Sequence, residues 1–170
     1  MSKIAVAIYD AQNLISLDGI EAMLLLKEDF EVTGKFSSCQ EVIASLRTTV
    51  MNVLIVTLYT MKEEELALIK KIRDEHPNIR VLVLAMEHDK SLLFRIIKTG
   101  AKGYLTPNAQ RQEIYEAILS LRGGYEYYSK TITDLLLKGY IDIIQGDDDK
   151  QRNTKTVSYT HLDVYKRQAH

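Results

Sequence analysis

Several residue types that mark particular protein classes are scarce in this sequence of 170 residues. It has one cysteine, Cys39, two prolines and no tryptophan. A single cysteine excludes a framework of intramolecular disulfides and favours a reducing, cytoplasmic setting. No apolar run approaches the roughly 18 residues of a membrane-spanning helix, and the N-terminus lacks the pattern of a signal peptide. The net charge of −1 gives no basic excess for binding nucleic acid or a membrane surface.

What the sequence does contain is a regular series of short apolar runs rich in Val, Ile and Leu. They lie at residues 3–9, 30–36, 52–58, 80–86 and 102–106. The first, third and fourth runs are nearly continuous, which is typical of strands buried on both faces of a parallel sheet. Helical patterns separate the runs, and strict alternation of strand and helix predicts an α/β fold. We expect a doubly wound, five-stranded parallel sheet of flavodoxin-like order 2-1-3-4-5.

Each helical pattern has an apolar face and a recognisable end. The faces comprise Leu14, Leu17, Ile20 and Leu24; Val42, Ile43 and Leu46; Leu66, Ile69 and Ile72; Leu93, Ile96 and Ile97; and Ile114, Ala117, Ile118 and Leu121. Pro77 disfavours continuation of the third helix. Asp89 suits the N-cap of the fourth helix, and Gly100 suits its C-terminal end. Gly123 and Gly124 are expected to end the fifth helix.

The composition changes after residue 124, and this change sets the predicted domain boundaries. Residues 1–124 form the predicted α/β domain. Residues 125–145 begin with the aromatic run YEYY and continue as an amphipathic extension helix. Residues 146–170 begin with a charged stretch that is typical of a linker. The run VSYTHLDVYKRQ resembles an adaptor-derived sequence, so we expect the tail after about residue 156 to be non-native and disordered.

The runs GAKGYLT (100–106) and IRDEHPNIRVLVL (72–84), together with the strand and helix layout, resemble the receiver domain of LuxR/NarL/FixJ-type response regulators. The resemblance covers residues 3–145. It implies a site at the carboxyl ends of the strands. In that family an Asp at the end of strand three accepts a phosphoryl group and, with two acidic residues after strand one, holds Mg²⁺. A Thr or Ser after strand four and a Lys after strand five stabilise the charge of the transferred group.

This sequence departs from the family pattern at nearly every position of that site. Thr57 stands at the acceptor position, and Tyr9 and Asp10 stand at the acidic pair. Ala85 replaces the Thr or Ser, and Pro107 replaces the Lys. A shift of one residue would put Thr106 at the lysine position, and Met61 replaces the Pro that usually follows the acceptor. An acyl phosphate requires a carboxylate, and Mg²⁺ requires several anionic oxygens. The resemblance with these departures therefore implies no phosphorylation, no cofactor and no metal site.

Other chemistry-bearing residues have structural interpretations beside functional ones. Tyr104 stands where the family has an aromatic switch residue, and the alternative is a half-buried strand aromatic. Residues 87–89 are a conceivable metal cluster, but a solvated loop that caps the fourth helix is the simpler interpretation. The acidic residues 63–65 suit the first turn of a helix, and Cys39 suits a plain small residue. We do not expect an enzyme, because nucleotide-binding loops, zinc-ligand spacing and a nucleophile elbow are missing.

These observations lead to two hypotheses about function. The first is a phosphorylation-independent pseudo-receiver, the regulatory domain of a two-component-type transcription regulator whose DNA-binding domain is absent from this chain. It would act by dimerisation or docking through the fourth helix, fifth strand and fifth helix. The alternative is a stand-alone adaptor that binds a partner protein or a small ligand at the former phosphorylation edge. A helix-turn-helix coding segment after residue 156 favours the first hypothesis, and a stop codon near residue 150 favours the second.

Overall fold

The computed structural model describes residues 2–12, 14–60, 62–87 and 89–153, with side chains as far as residue 147. Within these ranges six strands alternate with six helices. The strands are β1 (Ile4–Tyr9), β2 (Phe30–Phe36), β3 (Val53–Leu58), β4 (Arg80–Ala85), β5 (Gly103–Leu105) and β6 (Tyr127–Tyr128). The helices are α1 (Leu14–Leu25), α2 (Cys39–Ser45), α3 (Glu63–Glu75), α4 (Lys90–Thr99), α5 (Arg111–Arg122) and α6 (Lys130–Asn153).

The strands pair in parallel and form one sheet of order β2-β1-β3-β4-β5-β6. The predicted order of the first five strands is confirmed, but the predicted number of five is corrected to six. Tyr127 lies opposite Gly103 and Tyr128 opposite Tyr104. The amide of Tyr127 also donates to the carbonyl of Lys102 (3.0 Å). A strand of two residues has no alternation or apolar run by which the sequence could reveal it.

Asn52 aligns the amino-terminal ends of three neighbouring strands. Its side-chain oxygen accepts a hydrogen bond from the amide of Ala5 (2.9 Å), and its own amide donates to the carbonyl of Ala5 (2.7 Å). Its carbonyl accepts from the amide of Arg80 (2.9 Å). All residues of β3 and nearly all of β1 and β4 are buried. The common alignment brings the carboxyl ends of these strands to one edge of the sheet.

The pairing of the edge strand β2 with β1 is interrupted by one extra residue. Val6 lies opposite Val32, but Ala7 lies opposite Gly34, so Thr33 has no partner on β1. Such a bulge bends an edge strand and increases its local twist.

The predicted apolar faces of the helices are largely buried. The buried members are Leu17, Ile20 and Leu24; Val42 and Leu46; Leu66, Ile69 and Ile72; Leu93 and Ile96; and Ile114, Ala117, Ile118 and Leu121. The prediction was wrong for Leu14, which is 68% exposed. Leu14 is the first residue of α1, so no preceding helical turn lies beneath its side chain. It was also wrong for Ile43, which is 42% exposed because the short helix α2 directs Cys39 and Val42 to the core.

The chain divides into two compact units, residues 1–132 and 133–170. The first unit contains the whole sheet, α1 to α5 and the start of α6. The second contains the rest of α6, and residues 154–170 lie outside the described residues. The segment 125–145 holds β6 as well as the predicted helix, and α6 continues to Asn153, into the segment predicted as a linker. Among the described helices, none is both long enough and apolar enough to span a bilayer.

The end of α4 requires a glycine for two separate reasons. Gly100 has a φ of 117°, in the region that disfavours a side chain. A Cβ at this residue would also lie 2.3 Å from Cδ of Arg73. Arg73 reaches across from α3, and its Nη1 donates to the carbonyls of Thr99 (3.0 Å) and Lys98 (3.4 Å). The stem of Arg73 therefore packs on the glycine while its guanidinium caps α4, and the predicted C-terminal end is confirmed.

We expect Gly100→Ala to lower the free energy of unfolding by about 1–3 kcal/mol, because the methyl group adds backbone strain and a conflict with Arg73. Urea denaturation measures the change. Gly19→Ala is the matched control, because Gly19 lies in α1 with nothing within 4 Å of an added Cβ. In an Arg73→Ala background the substitution at Gly100 should cost less, and an equal cost in both backgrounds would contradict the contact.

Candidate functional site

The site residues predicted from sequence lie at the carboxyl ends of four strands. They are Tyr9 and Asp10 at β1, Thr57 at β3, Ala85 at β4, and Tyr104, Thr106 and Pro107 in or just after β5. All except Pro107 are buried. In the pairing of β3 with β4, Thr57 lies opposite Leu84 and Ala85 lies opposite Leu58. The fold therefore brings the predicted positions to one edge, where the strand order reverses between β1 and β3.

The side chain of Tyr9 joins the end of β1 to α2 and α3. Its hydroxyl donates a hydrogen bond to Oε1 of Glu65 (2.9 Å) and accepts one from the thiol of Cys39 (3.6 Å). Tyr9 is fully buried, and Glu65 is only 4% exposed. We call these three side chains the Tyr9 cluster. A phenol thus occupies the position at which the family resemblance implies the first carboxylate of the acidic pair.

Burial governs the ionisation of the Tyr9 cluster. It raises the pKa of Tyr9 far above the usual range, and the hydrogen bonds with Cys39 and Glu65 raise it further. Burial also raises the pKa of the Cys39 thiol. It raises the pKa of the Glu65 carboxyl, and the hydrogen bond from Tyr9 opposes that shift. Oε2 of Glu65 has no hydrogen-bond partner among the described residues. Burial in this cluster therefore favours the neutral form of each group.

Asp10 is the one carboxylate among the predicted site residues, and both of its oxygens accept hydrogen bonds. Oδ2 accepts from the hydroxyl of Tyr59 (2.8 Å), and Oδ1 accepts from the amide of Gln12 (2.9 Å). The bond from Gln12 closes a turn between the side chain and the backbone that fixes the loop after β1. Since Tyr59 follows β3, its bond to Asp10 ties the ends of β1 and β3 together.

The other positions of the predicted site contribute no charge. Thr57 is 1% exposed, and its Oγ1 has no hydrogen-bond partner among the described residues. A threonine hydroxyl needs an adjacent base to act as a nucleophile, and the described hydrogen bonds include none to Thr57. Ala85 carries no hydroxyl, and neither Thr106 nor Pro107 carries a cation. These side chains are apolar or neutral where phosphoryl transfer requires charged and hydroxyl donors.

Tyr104 is more deeply buried than the half-buried strand aromatic that was one of its two interpretations. It is 1% exposed in the middle of β5. Burial raises its pKa to about 12, and the negative charge of Asp89 adds to the shift. The side chain is therefore inward in this structure, and its phenol is neutral across the physiological range.

The sequence places Tyr59 and Glu65 after the third strand, close to the predicted edge, but it does not predict their contacts with Asp10 and Tyr9. Glu65 lies in the first turn of α3 as expected, but its burial is unexpected because acidic residues are mostly exposed. The spacing held a usable signal, since Glu65 precedes Leu68 and Ile72 by three and seven positions on the buried face of α3. Tyr59 lies in an irregular loop, where no periodicity marks a buried contact.

The loop after β4 caps α4 as predicted. The side chain of Asp89 accepts a hydrogen bond from the amide of Ser91 (2.9 Å), and Glu87 is exposed. His88 and Met61 lie outside the described residues. Among the residues that the structure does describe, no three His, Cys, Asp or Glu side chains are arranged to hold a metal ion.

A parallel sheet of this order, with helices between successive strands and a polar edge beside β1 and β3, is the flavodoxin-like architecture of receiver domains. Residues 6–119 match the response regulator receiver domain. The chain therefore belongs to the response regulator receiver domain family, the family expected from the sequence.

Relatives and solved structures agree with this assignment. The transcriptional regulatory protein DegU of Brevibacillus brevis is 24% identical over 147 residues, which cover 86% of this chain and 62% of DegU. The oxygen regulatory protein NreC of Staphylococcus haemolyticus (strain JCSC1435) is 29% identical over 132 residues, 76% of this chain and 60% of NreC. The chain thus spans about 60% of the length of these relatives.

The isolated receiver domain of RcsB from Salmonella enterica serovar Typhimurium, solved with the phosphomimetic BeF3−, shares the fold with a TM-score of 0.69. The sequences are 23% identical, and the match covers 79% of this chain and 99% of the RcsB domain.

We expect Glu65→Gln to raise the free energy of unfolding at about pH 7 and to leave it little changed in acid. The pKa of Glu65 is raised in the folded state, so its contribution is fully present below the unfolded pKa, near 4.5, and is lost as pH rises through the folded pKa. Glutamine keeps an oxygen to accept from Tyr9 but has no ionisation to lose. Urea denaturation across this pH range measures the difference.

Tyr9→Phe is the control, and it should lower the free energy of unfolding. It removes the hydroxyl that donates to Glu65 and so leaves Oε1 of Glu65 buried without that hydrogen bond. Such a loss costs about 1–3 kcal/mol. If Glu65→Gln and the parent chain lose stability in parallel as pH rises, Glu65 does not titrate in the way its burial implies.

Proposed function

We propose that this chain is a pseudo-receiver, a receiver domain that regulates by contact and does not accept a phosphoryl group. The observation that carries the proposal is the Tyr9 cluster. There a neutral phenol bonded to Glu65 fills a position that needs a carboxylate. The chain belongs to the receiver family, and its relative DegU is named as a transcriptional regulatory protein. Both facts support a role in two-component signalling. In this proposal the domain acts in the cytoplasm, carries no cofactor and is not an enzyme.

The residues at the site do not suit the Mg²⁺ ion that phosphoryl transfer requires in this family. Mg²⁺ needs several anionic oxygens in near-octahedral geometry. Asp10 is the sole carboxylate at the three implied positions, and its oxygens accept from Tyr59 and Gln12. Thr57 cannot form an acyl phosphate, because that product requires a carboxylate nucleophile. Both arguments support regulation without phosphate.

We expect acetyl phosphate with Mg²⁺ to leave the mass of the chain unchanged, because position 57 has no acceptor carboxylate and the described residues form no cluster that could hold a metal ion. Intact-protein mass spectrometry measures the outcome, and an unrelated receiver domain with a complete acidic pocket is the positive control. Thr57→Asp is the matched variant. It restores the acceptor alone, so it should remain much less reactive than the positive control. A phosphate adduct on residue 57 of the parent chain would overturn the proposal.

We further propose that α4, β5 and α5 form the contact surface for a second copy or a partner protein. Apolar side chains are exposed on these helices, since Phe94 on α4 is 45% exposed and Leu119 on α5 is 50% exposed. Because β6 pairs with β5, the surface at this end of the sheet includes β6. Solved structures of RcsB include two dimers bound to two parallel DNAs, which supports association as a mode of regulation for a related fold.

We expect the double variant Phe94→Asp and Leu119→Asp to shift the chain from dimer to monomer, because each charge would be buried in the proposed contact. Light scattering over a range of concentrations measures the mass. Ile15→Asp with Leu25→Asp is the matched control, since both residues are exposed on α1. The proposed surface would be refuted if the control variant dissociated to the same extent. It would also be refuted if the parent chain stayed monomeric and captured no partner through Phe94.

Control of a DNA-binding domain is the final part of the proposal. The regulatory relatives are longer than the region matched by this chain. The buried hydroxyl of Thr57, which has no hydrogen-bond partner among the residues described, favours a second candidate function. This is a stand-alone adaptor that binds a ligand or partner at the former phosphorylation edge. The genomic sequence downstream of codon 156 separates the two. A helix-turn-helix segment there supports the regulator, and an early stop codon supports the adaptor.

A further inference from the structure

A basic groove runs between α3 and α4. Its volume is about 550 Å³. Four cationic side chains line it, Lys70 and Arg73 from α3 and Arg95 and Lys98 from α4, with Glu63 as the one acidic lining residue. The apolar lining residues on the α3 side are Ala67, which is exposed, and Leu66, which is only 6% exposed. Each lining residue has another lining residue of the same helix three or four positions away, so each helix presents a single face to the groove.

The cations of the groove are only partly neutralised by the protein. Nη2 of Arg95 donates to Glu63 (2.9 Å), but both side chains are exposed, 43% and 80% respectively, and such pairs contribute little. Lys70 and Lys98 form neither a hydrogen bond nor an ion pair through their side chains with any described residue. The two lysines therefore remain available to an external anion.

Arg73 contributes less charge to an incoming ligand than the other three cations. Its Nε donates to Asp74 (2.8 Å), and its Nη1 is directed to the end of α4. Arg73 therefore holds the two walls of the groove together, while Lys70, Arg95 and Lys98 supply its accessible positive charge.

We propose that this groove docks an acidic, extended segment of a partner protein. The charge is complementary, and the exposed methyl group of Ala67 offers a small apolar contact to the side-chain stems of such a segment. α3 has 13 residues and is therefore about 20 Å long. An extended peptide of about six residues spans the same distance. Glu63 at one end of the groove favours a segment that has a basic residue at one end, next to its acidic residues.

A nucleic acid fits these observations less well. The chain has a net charge of −1 and a pI of about 6.4, whereas a domain that tracks a phosphate backbone usually carries a basic face and a high pI. Glu63 and Asp74, which lie beside the cations, would repel successive phosphates. A protein segment with a few spaced carboxylates requires only the local charge that the groove has.

The experiment uses the full chain and a fluorescein-labelled, end-blocked peptide that alternates Glu with Ser and ends in Lys. The peptide has about six residues, the length set by the groove. Fluorescence anisotropy at low salt measures binding. We expect Lys70→Gln with Lys98→Gln to weaken binding about tenfold, because two charged contacts are lost. Lys3→Gln with Lys90→Gln removes the same charge from exposed positions outside the groove and should leave binding unchanged.

Lys70→Arg with Lys98→Arg keeps the charge and should retain binding, which separates loss of charge from loss of folding. The same chain is titrated with a peptide in which Gln replaces each Glu, and with a short labelled DNA duplex. Weak or no binding of both supports the proposal. No binding of the acidic peptide, an equal loss in the control pair, or tighter binding of the duplex at matched salt would each overturn it.

Discussion

A carboxyl group buried in the first turn of α3 needs a hydrogen-bond donor, and the hydroxyl of Tyr9 provides it. This bond holds the end of β1 against α3, and the thiol of Cys39 extends the contact to α2. A phenol engaged with Glu65 is not a ligand for a cation, and the neighbouring Asp10 is held by Tyr59. The sheet edge therefore depends on a buried hydrogen bond between a phenol and a carboxyl group, at a position where the resemblance to the receiver family implies a carboxylate of the acidic pair.

α4 links the two surfaces for which contacts are proposed. Arg95 and Lys98 face the groove with α3, while Phe94 is exposed. The opposite side of the helix is fixed in the core by Leu93 and Ile96. Suppose that one partner binds more tightly when α4 is in one position. Its binding then changes the affinity of a second partner that also contacts α4, and the second partner changes the affinity of the first by the same factor. If the chain is the proposed pseudo-receiver, α4 is the element through which one contact influences the other.

Much of the fold follows from local sequence, because buried parallel strands and helix ends have clear signals. The apolar runs of β1, β3 and β4, the cap at Asp89 and the stop at Gly100 are all where the pattern predicts them. β6 escapes prediction because a two-residue strand is defined only by its partner β5. The site was predicted by position but not by its contacts. The bond between Tyr9 and Glu65 joins residues 56 positions apart, and a charged residue on a buried helix face contradicts the usual expectation of exposure.

The two edges of the sheet are closed to further strands by different means. β6 is too short to offer a continuous row of backbone donors and acceptors. β2 is interrupted by the bulge at Thr33 and carries Lys35, which pairs with Asp18 and Glu21 of α1. Regular, uncharged edges act as templates on which other chains add strands. The apolar residues exposed on the helices therefore do not lie beside a long, regular strand edge on which further strands could add to build a fibril.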